Sequence, residues 1–235
     1  MDSTVIEVTE SPADTAATAE SIAIAAVAGA MTEPSDSVRS SDPADGRELR
    51  SRRTRSAIVE GWLDLVEGGN VSPTAREIAD QAGIGLRTIF QHFDDMEALQ
   101  ANAAALHFDR VSPFFRLEPT GTFAERVAQF SLHRKRLFER ITPVRRAALH
   151  RVMLAPNLGN LLKTADDVFA ALAWSAFAPE LASVADPTEA QVLKHSAGSA
   201  LSWAVWEYLR TSSMLTSAEA AQVFSLTCER LFTHE

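Results

Sequence analysis

Five times along this chain a Thr or Asp stands three residues before a Glu, and an apolar run at three- and four-residue steps follows each time. The pairs are Thr74 with Glu77, Asp94 with Glu97, Thr122 with Glu125, Asp186 with Glu189, and Thr216 with Glu219. At that spacing the first side chain accepts from a backbone N–H of the opening helical turn while the Glu reaches back, so each pair marks a helix start. Thr142 and Asp186 are each followed by proline, which suits the first helical position because its missing N–H would be unpaired there anyway. From residue 47 onward no segment alternates apolar and polar residues as a half-buried strand would. The folded part is therefore expected to be all-α.

The stripes give the helices their buried faces. Ile58, Trp62, Leu65 and Val66 line the first, which "GGN" at 68–70 ends. Met96, Leu99, Ala103 and Leu106 line a later one, and Phe123, Val127, Phe130 and Leu137 the next. Val144, Ala148 and Val152 follow the Thr142–Pro143 start, and Leu158 to Leu172 line another helix that Pro179 closes. Residues 188–210 read as one helix that is apolar on two sides, and such a helix must be covered twice. Ala197, Ala200, Ala204 and Tyr208 form one face, and Val223, Phe224 and Thr227 belong to the last helix beside it. Either both helices are core, or they pair with their copies across a twofold axis as a four-helix bundle; the small residues favour the pairing. No fixed period recurs, which excludes a solenoid.

The formal charge of −9 is unevenly spread. Residues 1–45 carry −8 of it, nine acids against Arg39, in a Ser-, Thr- and Ala-rich context with too little bulky apolar surface to offset chain ordering. Residues 1–46 are expected to be a disordered acidic tail. Its "SIAIAAVAGA" has the apolarity of a secretory core but follows acids where a signal peptide is basic, and Met31 just after it is an alternative translation start. Then "GRELRSRRTR" reverses the sign, with Arg50, Arg52 and Arg53 at its centre: a phosphate-tracking arm or a solvated linker. Cys228 is the single cysteine, so no disulfide forms within the chain, as suits the cytoplasm. No apolar run approaches the ~20 residues that span a bilayer.

The stretch "PTAREIADQAGIGLRTIFQHFDD", residues 73–95, carries the most specific geometry. Thr74 caps a short helix with Ile78, Ala79 and Ala82 on its apolar side. Gly83 stands where a helix end wants a left-handed residue. Ile84 plugs the turn. Gly85 opens a second short helix, with Ile89, Phe90 and Phe93 available to pack. Two short helices about a tight glycine turn make a helix-turn-helix, whose second helix presents its exposed side chains to base edges in the major groove. Those side chains are Leu86, Arg87, Thr88, Gln91 and His92. Arg suits guanine, Gln adenine, Thr a phosphate and Leu a thymine methyl.

The run "AREIADQAGIGLRTIFQHFDDMEAL", preceded by "RSAIVEGWLDLVEGG", resembles the DNA-binding segment of TetR-like transcriptional repressors over about residues 50–110. The resemblance implies a three-helix DNA-binding domain over 47–93 and a helical effector-binding and dimerisation domain over 94–235. It also implies phosphate contacts from Thr74 and Arg76, a double-stranded operator, a small-molecule effector, and a homodimer in which the effector shifts the helix starting near Asp94. Two positions depart from the family pattern. Phe90, also a candidate DNA-contacting residue, stands where the family often has a Tyr that contacts phosphate, and Gly85 where it often has Ser or Thr.

The arginine-rich "HRKRLFERITPVRRAALHR" reads as solvated helix faces, except that Arg134 interrupts the stripe between Phe130 and Leu137. An inward arginine needs an anion, from the protein or from a ligand such as a carboxylate or acyl thioester. Phe108, Phe130, His133, Arg134, Met153, Phe169, Trp174 and Trp203 are the pocket candidates; most aromatics at helical spacing are simply core. His92 has no second ligand at metal spacing, so no metal site is expected. With no glycine-rich phosphate loop, zinc motif or serine elbow, no cofactor and no catalysis are expected either. The reading is a ligand-responsive DNA-binding regulator, a repressor by the resemblance. The alternatives are an all-α sensor or scaffold that has lost DNA binding, or a helical enzyme acting on an anionic substrate.

Overall fold

The computed structural model describes residues 44–152 and 156–233. The acidic tail up to residue 43, with its secretory-like run and Met31, lies outside the described residues, as does Met153. Every regular element described is helical: α1 (Ala44–Glu67), α2 (Ala75–Ala82), α3 (Leu86–His92), α4 (Met96–Val111), a 3-10 turn (Ser112–Phe115), α5 (Phe123–Arg151), α6 (Pro156–Ala176), α7 (Ala178–Ser183), α8 (Pro187–Ala200), α9 (Trp203–Thr211) and α10 (Ser217–Phe232). No helix among the described residues is long and apolar enough to cross a membrane.

The chain forms two compact units. Of the described residues, the first comprises 44–113, 139–152 and 156–162. Its core is Ile58, Leu63, Ile78, Ile89 and Leu99, each at most 1 % exposed, with Trp62, Phe93 and Ala103 around them. Burying each large side chain contributes about 1.5–3 kcal/mol. A close approach lets α2 lie on α1: a Cβ added at Gly61 would stand 3.4 Å from the Ala82 Cβ and from the Ile78 carbonyl. Arg55 fastens α1 to the end of α3. It donates to the His92 carbonyl (2.6 Å) and to Asn102 (3.1 Å) and lies over the Phe93 ring.

Of the described residues, the second unit comprises 114–138 and 163–233. Its interior is aromatic. Phe138 meets Phe169, Trp206 and Phe224, and Phe177 stacks on Phe232 with ring centroids 4.4 Å apart. The Arg126–Glu180 ion pair ties α5 to α7. On α8, Gly198 leaves room for α6, where an added Cβ would come within 3.3 Å of Ala170.

Three of the expected capping pairs close as reciprocal hydrogen bonds: Thr74 with Glu77, Thr122 with Glu125, and Thr216 with Glu219. Asp186 also caps, by accepting from the Thr188 N–H with Pro187 opening the helix. Four expectations need correcting. The α4 cap is Asp95 rather than Asp94, because its carboxylate reaches the Ala98 N–H. No helix starts at Thr142; α5 runs through Pro143. Proline there costs about 3 kcal/mol, but Leu137, Phe138 and Ile141 before it and Ala147 after it are all buried, and their packing outweighs that cost. Pro179 does not close the preceding helix; it sits in the first turn of α7. The single helix expected over 188–210 is two, because Ser202 accepts from the Val205 N–H and starts α9 afresh.

Candidate functional site

Gly83 adopts φ 67°, ψ 33°, and its N–H returns to the carbonyls of Ala79 and Asp80. That left-handed end reverses the chain between α2 and α3. The Ile84 N–H also bonds the Ala79 carbonyl, at 3.0 Å. On α3, Ile89 is buried at 1 %, with Phe93 just beyond the helix end buried at 3 %. The remaining positions follow from the helical period: 86, 87, 90 and 91 share the opposite side. Leu86, Arg87, Phe90 and Gln91 are all exposed there, with Thr88 and His92 flanking them half-buried. Phe90, available either to pack or to contact DNA by the sequence, is 52 % exposed, because the inward register belongs to Ile89 and Phe93.

α3 starts poorly. Its N-cap, Gly85, makes no side-chain hydrogen bond. The backbone there is extended (φ −76°, ψ 143°), and the nearest atom to an added Cβ is the Thr88 hydroxyl oxygen at 3.8 Å. Gly85→Ser is therefore expected to stabilise the protein by about 0.5 kcal/mol, by supplying a cap and restricting the unfolded chain. A rise in the urea midpoint at constant m would show it.

Of the basic residues around this helix, Arg53, Arg76 and Arg87 are exposed. Arg52 pairs with Glu48 one turn away and Arg50 bonds the Gly46 carbonyl, so both lie along an ordered helix face. Thr74 is occupied as a cap, with its hydroxyl donating to Glu77 at 2.7 Å. The Glu77 carboxyl is held below its ordinary value chiefly by the Thr74 backbone N–H, then by the Thr74 hydroxyl. Arg55, which sequence reasoning left inside the basic run, is the residue that positions α3. Its partners lie 37 and 47 residues away, so no local pattern could have revealed them.

In the second unit the pocket candidates separate. Arg134 is fully buried, at 0 % exposure, between the rings of Phe130, Phe138 and Phe169, with its guanidinium carbon 4.7, 5.3 and 5.8 Å from their centroids. Nη2 donates to the Phe169 carbonyl, while Nε and Nη1 have no hydrogen-bond partner. A buried donor left unmade costs about 1–3 kcal/mol, more for a charged group. Burial lowers the Arg134 pKa to about 9, so it stays cationic at neutral pH. Cys228, close by, does not neutralise it: burial raises the thiol to about 12.

His133 approaches the Phe114 carbonyl through Nε2 at 2.7 Å, which makes Nε2 the protonated nitrogen. Its Nδ1 is buried and unpartnered. Burial first, and then the Arg134 charge, lower the His133 pKa to about 4, against the opposing effect of the Phe114 bond. Trp174 is committed to structure, donating to the Lys194 carbonyl at 2.9 Å, and Trp203 is buried at 5 %. Phe108 belongs to the first unit.

The paired-helix candidates divide as well. Ala197 and Phe224 are fully buried, and the Phe224 ring meets Phe138 and Trp206 of its own chain. Ala204 and Tyr208 are exposed, the latter at 61 %, while Ala200, Val223 and Thr227 are half-buried. Val192 and Leu226 add exposed apolar surface on α8 and α10. Among the described residues no group of three or more His, Cys, Asp or Glu is placed to hold a metal.

No family model and no curated protein matches the chain. Solved structures do. A protein of Mesorhizobium loti assigned as a candidate TetR-family transcriptional regulator is 20 % identical, over 77 % of this chain and 96 % of its own, with a TM-score of 0.52. A transcriptional regulator of Rhodococcus is 15 % identical over 77 % of this chain and 95 % of its own, with a TM-score of 0.51. A candidate regulator of Pseudomonas aeruginosa is 16 % identical over 77 % and 90 %, with a TM-score of 0.52. At these identities the likeness is one of fold, and it agrees with the motif at residues 73–95: the chain has the all-α fold of the TetR-like regulators, a helix-turn-helix segment followed by a helical C-terminal part.

Proposed function

We propose that this protein is a DNA-binding transcriptional regulator that acts as a homodimer and is released from its operator by a small molecule. The observation that carries the reading is the exposed side of α3. Leu86, Arg87, Phe90 and Gln91 project together from a helix that Gly83, Ile89 and Arg55 hold in place. An α-helix with its side chains is about 10–12 Å across, which suits a major groove about 12 Å wide. Arg87 and Gln91 read base edges, Leu86 and Phe90 meet thymine methyls, and Arg53 and Arg76 neutralise phosphates. Two copies paired through the exposed parts of α8 to α10, around Ala204 and Tyr208, place two recognition helices on half-sites about 34 Å apart. An effector weakens DNA binding as far as its affinity differs between the dimer spaced for those half-sites and a dimer with its recognition helices at another separation.

The test is binding to the DNA upstream of the protein's own gene over a salt series. Wild type is expected to lose affinity steeply as salt rises. Arg87→Ala is expected to lose about 1–3 kcal/mol of discrimination at one base position; its Tm should be unchanged, because the side chain is exposed. Identical sequence profiles for wild type, Arg87→Ala and Gln91→Ala would overturn the base-reading assignment. A second reading, an all-α sensor without DNA recognition, is favoured by Gly85 and by Phe90, which has no hydroxyl to give a phosphate. Absence of affinity for any duplex at low salt would establish it over the first.

A further inference from the structure

We propose that Arg134 is the anchor of a ligand site inside the second unit, and that the ligand is a monocarboxylate with an apolar body. The proposal rests on the reading that this part of the chain binds an effector, and it names that effector's chemistry.

A guanidinium has five N–H donors and no acceptor. At Arg134 three of them, the one on Nε and the two on Nη1, have no partner in a wholly buried setting. No carboxylate of the described residues is hydrogen-bonded or ion-paired to it. Among the described residues the hydrogen bonds to this guanidinium come down to one backbone carbonyl, and a carbonyl carries no charge. The thiol of Cys228 is held in its neutral form by the same burial. What surrounds the group is aromatic: Phe130, Phe138 and Phe169 around the cation, and Phe115, Trp206 and Phe224 in contact with those rings.

This chemistry selects its ligand. A planar carboxylate matches the guanidinium fork and supplies a single negative charge. A dianion such as a phosphate monoester brings a second charge that nothing here balances, and its desolvation is correspondingly worse. The rings accept an alkyl or aryl body, which is how most small-molecule sites are lined. Arg134 is fully covered, so entry requires its cover to move, and the apparent affinity is reduced by the closed fraction.

The experiment uses the full chain without DNA, so its outcome is independent of operator recognition. Hexanoate, decanoate, benzoate and phenylacetate are each titrated beside the matching primary amide. Thermal unfolding and the fluorescence of Trp206, whose ring lies 5.9 Å from Phe138, are the readouts. At least one carboxylate is expected to change the fluorescence saturably and to raise Tm in proportion to the logarithm of its concentration, by about 5 °C at a hundredfold excess over Kd, and its amide is not. Arg134→Met is expected to abolish that rise while keeping the ligand-free Tm equal or higher, since an apolar side chain of similar volume replaces an uncompensated charge.

The proposal is overturned if no carboxylate of the four shifts Tm, or if amides act equally. Arg134→Met that keeps the response also overturns it. So does chloride or sulfate matching decanoate, because the apolar body would then contribute nothing. If Arg134→Met fails to fold, the comparison of carboxylate with amide on wild type still decides.

Discussion

Ile89→Ala is expected to destabilise the first unit by about 2–5 kcal/mol, and to abolish any DNA affinity that the protein has. Ile89 is 1 % exposed and shares a core with Ile58, Leu63, Ile78 and Leu99. It is also the one buried residue within α3, so the cavity it leaves removes the floor on which the helix rests. The contrast with Arg87→Ala makes the result diagnostic. One variant lowers the urea midpoint and loses affinity for every sequence. The other keeps the midpoint and loses choice among sequences. If Ile89→Ala left the midpoint in place, α3 would be held by something other than this packing.

Acidification from pH 7 to pH 5 is expected to remove about 2 kcal/mol of stability through His107, and less through His133, which is more exposed. Both pKa values are lowered from 6.5 to about 4, with burial as the first cause. For His107 the second cause is the charge of Arg110, and its Nε2 is buried without a partner. A depressed histidine favours the folded state while neutral. The stability is complete above the unfolded value of 6.5, declines as pH falls toward 4, and levels off below that. Glu77, Glu125 and Glu219, lowered by their Thr caps, act in the same direction but only below their ordinary value of 4.5. Urea midpoints between pH 7 and pH 5 therefore isolate the histidines. His107→Gln should flatten that part of the profile, and an unchanged slope in the variant would refute the assignment.

Legibility in this sequence followed the distance between partners. Thr74 with Glu77 and Thr216 with Glu219 could be read directly, because both members of each capping box lie in one turn. So could the left-handed Gly83, whose conformation is a local demand of the chain reversal. Local rules failed where two residues could satisfy them or where packing overrode them. Asp95 took the role given to its neighbour Asp94, and Pro143, which looked like a helix start, is carried inside α5 by buried residues on either side. The break at Ser202 was hidden because α8 and α9 both carry apolar faces across it. Arg134 was visible as a charge in an apolar stripe, but its missing partners were not. The apolar side of Phe90 could be assigned to neither core nor surface until the register of Ile89 was known.

The two ends of α3 are held unequally. Arg55 grips the C-terminal carbonyl of His92, placing a cation where the helix dipole is negative, while Gly85 offers nothing from its side chain at the other end. Fraying must therefore begin at Leu86 and Arg87, whose amides should exchange with solvent deuterium sooner than those of Gln91 and His92. The helix is thus clamped at its rear and adjustable at its tip, the end that a groove would meet first.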